Sequence, residues 1–185
     1  MQLKEHIAYG GAASVALYPV FGVRTLLFFL ASVLIDADHY LDYLYYTRFK
    51  NWSVKTMFKF HGTMAAWRNK PDICALEAFH TAEFLAALGA LALAFHSVEL
   101  SLIFWGMIFH MVLDLIRLTQ WKRVDLRALS FTEYWIRKKR MMARGIHPET
   151  IFEEAYRTVS QELDFTPAES RPQKLQEIVP AVSRS

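Results

Sequence analysis

Over residues 7–35 the chain is apolar apart from Arg24 and a few small polar residues, and a run of that length has few ways to fold. A single membrane span would set Arg24 near its centre, at a cost of roughly 2.5 kcal/mol or more. Tyr18-Pro19-Val20-Phe21-Gly22 in the middle offers another solution. Pro and Gly together predict a break, giving two short helices in a hairpin with Arg24 at the far interface. The second helix is expected to continue past Asp36 to Tyr46 as a polar and aromatic extension. A third apolar helix is expected over 74–95 and a fourth over 98–118, joined by a tight connection at His96. These periodicities predict an all-α fold, a membrane-associated bundle of about four apolar helices followed by a basic, partly helical tail.

Length and charge refine this picture. The 185 residues suit one sizeable core and one site. Apolar residues make up 54% of the chain beside 21% charged ones, so the hydrophobic content is concentrated in blocks. The net charge is only +3, but the cations are clustered. Arg48, Lys50, Lys55, Lys59, Arg68 and Lys70 crowd the central loop against Asp72 alone. A second cluster runs from Arg117 to Arg144. The turn after His96 has no Lys or Arg. By the bias of basic residues toward the cytoplasm, this asymmetry places the N-terminus, the central loop and the tail on the cytoplasmic side. No nucleic-acid-binding motif accompanies the basic clusters. The single Cys74 fits a reducing environment, and the N-terminus lacks the pattern of a cleavable signal.

The organisation expected is therefore a membrane-embedded domain over 1–120, a basic and amphipathic cytoplasmic extension over 121–164, and a disordered tail over 165–185. In the extension, Ser130-Phe131-Thr132-Glu133 is a helix start, leading into Tyr134-Trp135-Ile136-Arg137-Lys138-Lys139-Arg140. Aromatic residues interleaved with a basic cluster suit a helix lying on anionic lipid headgroups, and equally a solvated basic helix. Pro148-Glu149 opens a last amphipathic helix.

Chemistry-bearing residues collect at helix ends. Asp36-x-Asp38-His39-x-x-Asp42 sits where an apolar helix leaves the membrane on the basic side. Three crowded carboxylates repel one another unless cations neutralise them, and imidazole with carboxylate suits Zn, Mn or Fe. His110-x-x-x-Asp114 stacks two further ligand types on one face of an otherwise apolar helix. An ionisable pair there is a functional site or a structural hydrogen bond closing a helix interface. Glu77-x-x-His80-x-x-Glu83 adds a third carboxylate and imidazole face at the start of the third helix. His6 and His61 are weaker signals singly. In the topology above all of these fall near the cytoplasmic ends of their segments, with His110 about 6 Å deeper than Asp114. So many ligands imply two or more metal ions and hydrolysis by a metal-activated water. Glu77 or Glu83 is the candidate general base, with Asp36 a further candidate catalytic carboxylate. A non-enzymatic metal-binding or transport protein, and a soluble helical enzyme, are the competing readings.

The ordered series His6, Asp36-x-Asp38-His39, His61, His80-Thr81 and His110-x-x-x-Asp114 resembles the membrane-bound metal-dependent hydrolase family, which includes the LexA-regulated hydrolases. More remotely it is similar to the zinc-dependent phospholipase C superfamily. The likeness covers about residues 1–118. It implies an all-α fold, metal ligation by His6, Asp38, His39, His61, His80, His110 and Asp114, and hydrolysis of a phosphoester. The substrate implied is a small phosphoester or a membrane lipid.

Overall fold

The computed structural model describes residues 3–71 and 73–163, so Asp72 and the expected disordered tail over 165–185 lie outside the described residues. The described chain is all-α, with eight α-helices and no strand. They are α1 (Leu3–Phe21), α2 (Thr25–Leu34), α3 (Ala37–Tyr46), α4 (Val54–Ala66), α5 (Ala82–Ala94), α6 (Val98–Gln120), α7 (Phe131–Ala143) and α8 (Pro148–Glu162).

The expected hairpin is α1 and α2. Pro19 is accommodated in the last turn of α1, and the reversal falls at Gly22, which takes a left-handed φ of +57° that glycine adopts without a Cβ penalty. Arg24 lies at that far turn and pairs with Glu99 at 3.3 Å. The second turn of the bundle, between α5 and α6, lies at the same end. There the Ser97 hydroxyl caps α6 by accepting the Leu100 N–H. Helix α6 packs on α2 and α5, and α1 packs on α2. Two glycines set the spacing. A Cβ on Gly106 would overlap the Phe28 carbonyl oxygen, and one on Gly10 would overlap the Ser32 hydroxyl. Small residues at the contact let backbones approach closely, as in helix pairs packed in lipid.

Leu3–Tyr46, counted through its breaks, and Val98–Gln120 are long and apolar enough to cross a membrane. Less than a third of the most apolar stretch of either segment is buried. Their outer surfaces carry Val15, Leu26, Leu30, Trp105, Val112 and Ile116, all exposed. A core helix of a water-soluble protein would turn such residues inward.

Three elements differ from the sequence expectation. The second apolar helix does not run unbroken to Tyr46. At Ile35 and Asp36 the α-helical ladder gives way to tighter bonds from Asp38 N–H to the Ile35 carbonyl and from His39 N–H to the Asp36 carbonyl. Nor does the third helix start near Cys74: α5 begins at Ala82, capped by the Thr81 hydroxyl. The segment before it is extended, because Ala75 N–H bonds the Leu126 carbonyl and Ala128 N–H bonds the Ala75 carbonyl, committing the backbone to a partner distant in sequence. The central basic stretch holds a helix, α4, capped by Ser53. Helix α8 packs on α3 and α4, burying Tyr43, Leu44, Phe60, Ile151, Phe152, Ala155 and Val159 in a second core beside the apolar bundle.

Candidate metal centre

The antiparallel bundle gathers four backbone positions at the end opposite Arg24. Helix α1 starts there, α2 ends there, the 3-10 turn Ala78–His80 leads into α5 there, and the last three turns of α6 pass through it. From these elements His6, Asp36, Asp38, Glu77, His80, His110 and Asp114 converge, all but Asp36 buried.

Asp36, His80, His110 and Asp114 form a group that can hold a metal ion, with one ligand atom of each within 4.8 Å of the others. The geometry inside the group is specific. His110 Nδ1 donates to the Ser32 carbonyl at 2.8 Å, and His80 Nδ1 donates to Asp38 Oδ2 at 2.9 Å. These bonds spend the ring protons on the Nδ1 side and leave both Nε2 atoms as lone-pair acceptors. The two Nε2 atoms nevertheless face each other at 3.3 Å. Asp36 Oδ1 stands 3.3 Å from His110 Nε2 and 3.5 Å from His80 Nε2. Asp114 Oδ2 stands 3.5 Å from His110 Nε2. Neutral imidazoles so oriented place acceptors against acceptors, which a shared cation relieves. Ligands about 2.05 Å from a tetrahedral ion are about 3.3–3.4 Å from one another, close to these separations.

Surrounding groups orient the ligands. Asp38 Oδ2 also accepts the Phe79 N–H at 3.0 Å, so the carboxylate is tied to the turn that carries His80. Carboxylate or carbonyl partners on the far nitrogen of a ligating histidine are the usual means of fixing its tautomer. His6 stacks on His110 with ring centroids 3.8 Å apart and puts Nε2 3.2 Å from Asp114 Oδ1. His39, half-buried at the rim, puts Nε2 3.4 Å from Asp36 Oδ1 and Nδ1 3.3 Å from Glu77 Oε1. His61 is a step further out, donating from Nε2 to the His39 carbonyl at 2.8 Å. Burial, aided by the neighbouring charge of His39, lowers the His61 pKa to about 4 and keeps its ring neutral. His6 Nδ1 and Asp38 Oδ1 are buried without a hydrogen bond, and unsatisfied polar atoms beside a cluster of carboxylates and imidazoles fit a bound cation.

Arg127 is the residue that sequence reasoning missed. Its buried guanidinium contacts Glu77 through Nε and Asp114 Oδ2 through Nη1 at 2.9 Å. Burial opposes its charge, and the Glu77 and Asp114 carboxylates outweigh burial, so its pKa is raised and the cation persists. For His80, burial and the Arg127 charge oppose protonation; the hydrogen bonds to Asp36 and Asp38 overcome them, so its pKa is raised, and without a metal a proton on Nε2 takes the place of the cation between the ring and Asp36. In sequence Arg127 is one more cation in a basic stretch. Its burial follows from the long-range pairing of residues 126–128 with Ala75.

The structure thus brings together His6, Asp36, Asp38, His39, Glu77, His80, His110 and Asp114, with His61 at the edge. It does not bring Glu83. That carboxylate is exposed and accepts the Phe131 N–H at 3.1 Å, because the expected helical face shared by Glu77, His80 and Glu83 is not helical before Ala82. No protein-family model, curated protein or solved structure matches the chain.

Proposed function

We propose that this protein is a membrane-embedded, metal-dependent hydrolase acting on a phosphoester at the cytoplasmic face, with a lipid headgroup among the substrates such a position allows. The observation that carries the reading is the convergence of His80 Nε2, His110 Nε2 and Asp36 Oδ1 within 3.5 Å of one another, with both imidazole protons committed elsewhere. The resemblance of the ordered His and Asp series to the membrane-bound metal-dependent hydrolases supports the same chemistry.

In this reading Asp36, His80, His110 and Asp114 hold the first ion, and His6 and His39 complete a set large enough for a second. Divalent ions in such a site lower the pKa of water and offset charge building on a phosphoryl group. Zn suits the mixture of imidazole and carboxylate, with Mn and Fe as the other fits. Asp38 orients His80. Glu77, within 3.3 Å of His39 and on the half-buried side, is the proton acceptor, and Arg127 holds Glu77 and Asp114 in place. The carboxylates of Asp36, Asp38, Glu77 and Asp114 outnumber the one fixed cation, Arg127, which pairs with Glu77 and Asp114, so a phosphate needs added positive charge to enter the pocket.

A transport function needs a polar route to the far side. The buried hydroxyls on that route, Ser14 and Thr25, are satisfied by backbone carbonyls at 3.0 Å, and Phe28, Ala31, Ala92 and Leu102 fill the interior around them. That filling favours an enzyme over a conduit.

Elemental analysis of the purified protein is the test. Zn, Mn or Fe is expected at one or more equivalents per chain, lost in His110→Ala and Asp36→Asn with helicity intact, together with metal-dependent cleavage in a phosphoester screen. Metal-free wild-type protein that also fails to take up these ions overturns the proposal.

A further inference from the structure

Helix α7 turns large apolar side chains outward. Its inner flank sets Tyr134 and Met141 among charged groups: Arg137 donates to the Arg127 carbonyl at 3.1 Å, to the Asp125 carbonyl and to Glu133 at 3.2 Å, while Lys138 pairs with Glu149. Glu133 also accepts the Leu129 N–H at 2.8 Å. No residue of the helix is fully buried, so it adds no side chain to the core. At 100° per residue, Phe131, Met142, Trp135, Lys139, Ile136 and Arg140 share the opposite half of the cylinder. That half faces outward, with Phe131, Trp135, Ile136 and Met142 exposed by 38%, 57%, 46% and 47%. Four large apolar side chains of one helix turned outward form an exposed apolar surface of the kind that marks an interaction site.

Two observations identify what covers it. The first is charge. Glu133 is the only acid in α7 and is engaged by Arg137 and the Leu129 N–H, while Lys139 and Arg140 lie on the exposed side. The face is therefore apolar and purely cationic, the combination that binds an anionic bilayer surface. The second is position. Phe131 N–H is held by Glu83 in the first turn of α5, so α7 starts at the rim where the apolar bundle ends.

We infer that α7 lies in the headgroup region of the same membrane, with Phe131, Trp135, Ile136 and Met142 inserted and Lys139 and Arg140 on anionic lipid phosphates. The inference rests on the membrane placement of the apolar helices, and the experiment separates the two. Because Cys74 is buried, a nitroxide can be directed to single introduced thiols in Ile136→Cys, Met142→Cys and, as a reference in the bundle, Leu30→Cys. Each full-length labelled protein is reconstituted into phosphatidylcholine vesicles with and without phosphatidylglycerol. Collision with oxygen is then compared with collision with a water-soluble nickel chelate.

At all three positions oxygen is expected to exceed nickel, and at 136 and 142 the preference is expected to grow severalfold with phosphatidylglycerol. Lys139→Glu with Arg140→Glu is expected to abolish that growth. A lipid-facing label at 30 with water-facing labels at 136 and 142 overturns the inference and leaves the embedded bundle standing. Dipolar broadening between labels at 136 overturns it in favour of a second copy of the chain. A water-facing label at 30 overturns both.

Discussion

One oxygen, Asp36 Oδ1, lies within 3.5 Å of the Nε2 atoms of His39, His80 and His110. Asp36 is thus the hub of the cluster, and Asp36→Asn, which keeps the shape and removes the charge, is expected to lose the metal. Asp38 reaches the centre chiefly through its bond to His80 Nδ1, and carboxylates that orient a ligating histidine in this way typically contribute 10–100-fold in metal affinity. Asp38→Ala is therefore expected to weaken binding by roughly that factor, read by competition with a calibrated chelator. Glu83→Gln is the contrasting case: metal content and turnover are expected to stay at the wild-type level, since the side chain serves only the start of α7. The resemblance names His6, Asp38, His39 and His61 as ligands beside His80, His110 and Asp114. The inner group instead pairs Asp36 and His80 with His110 and Asp114. The His110 and Asp114 pair was legible because both sit on one regular helix, where a spacing of four fixes a common face. Which of Asp36 and Asp38 points inward was not, because the irregular turn at Ile35 and Asp36 decides it. Arg127 left no local signal at all.

Among the elements, periodicity located α1, α2, α6 and α8, since each is a long amphipathic or apolar run, and Ser130 and Pro148 marked the starts of α7 and α8. It failed over 74–81, where the chain is helical by composition but extended by its pairing with 126–128. It also passed over α4, whose Lys-rich sequence looks like a loop until α8 supplies an apolar partner. Helix spacing is the element-level quantity that sets the metal centre. Gly106 lets α6 approach α2 at Phe28, one turn before His110 meets the Ser32 carbonyl. Gly106→Val would push the helices apart; overpacking of this kind costs roughly 1–3 kcal/mol. Lower melting temperature and lower metal content are expected together, measured by thermal unfolding and elemental analysis on the same sample. Gly62→Ala in α4 makes the opposite prediction. A Cβ there meets nothing within 4 Å, so the helix should gain about 0.5–1 kcal/mol without change at the metal centre.

At the scale of the whole molecule, two packed regions of different character share one seam. The bundle of α1, α2, α5 and α6 turns apolar side chains outward, whereas α3, α4 and α8 close a core of Tyr43, Phe60, Ile151, Phe152 and Val159 that water-soluble domains would recognise. The metal centre lies between them, with ligands from α1, α6 and the segments joining the two regions. A cation bound there ties both halves to one point, and its removal leaves Asp36, Asp38, Glu77 and Asp114 crowded together with Arg127 paired to only two of them. Chelation should therefore destabilise the fold as a unit and not only abolish turnover. Ligand held at 100 times its dissociation constant stabilises the native state by about 2.7 kcal/mol. For a chain of this length that corresponds to a fall in melting temperature on chelation of roughly 5–11 °C. The expected result in detergent micelles is a drop of this size on adding EDTA, reversed by excess Zn. In Asp36→Asn the melting temperature should start low and ignore EDTA. An unchanged wild-type melting temperature after complete metal removal would mean that the seam is held by the Arg127 and histidine contacts alone.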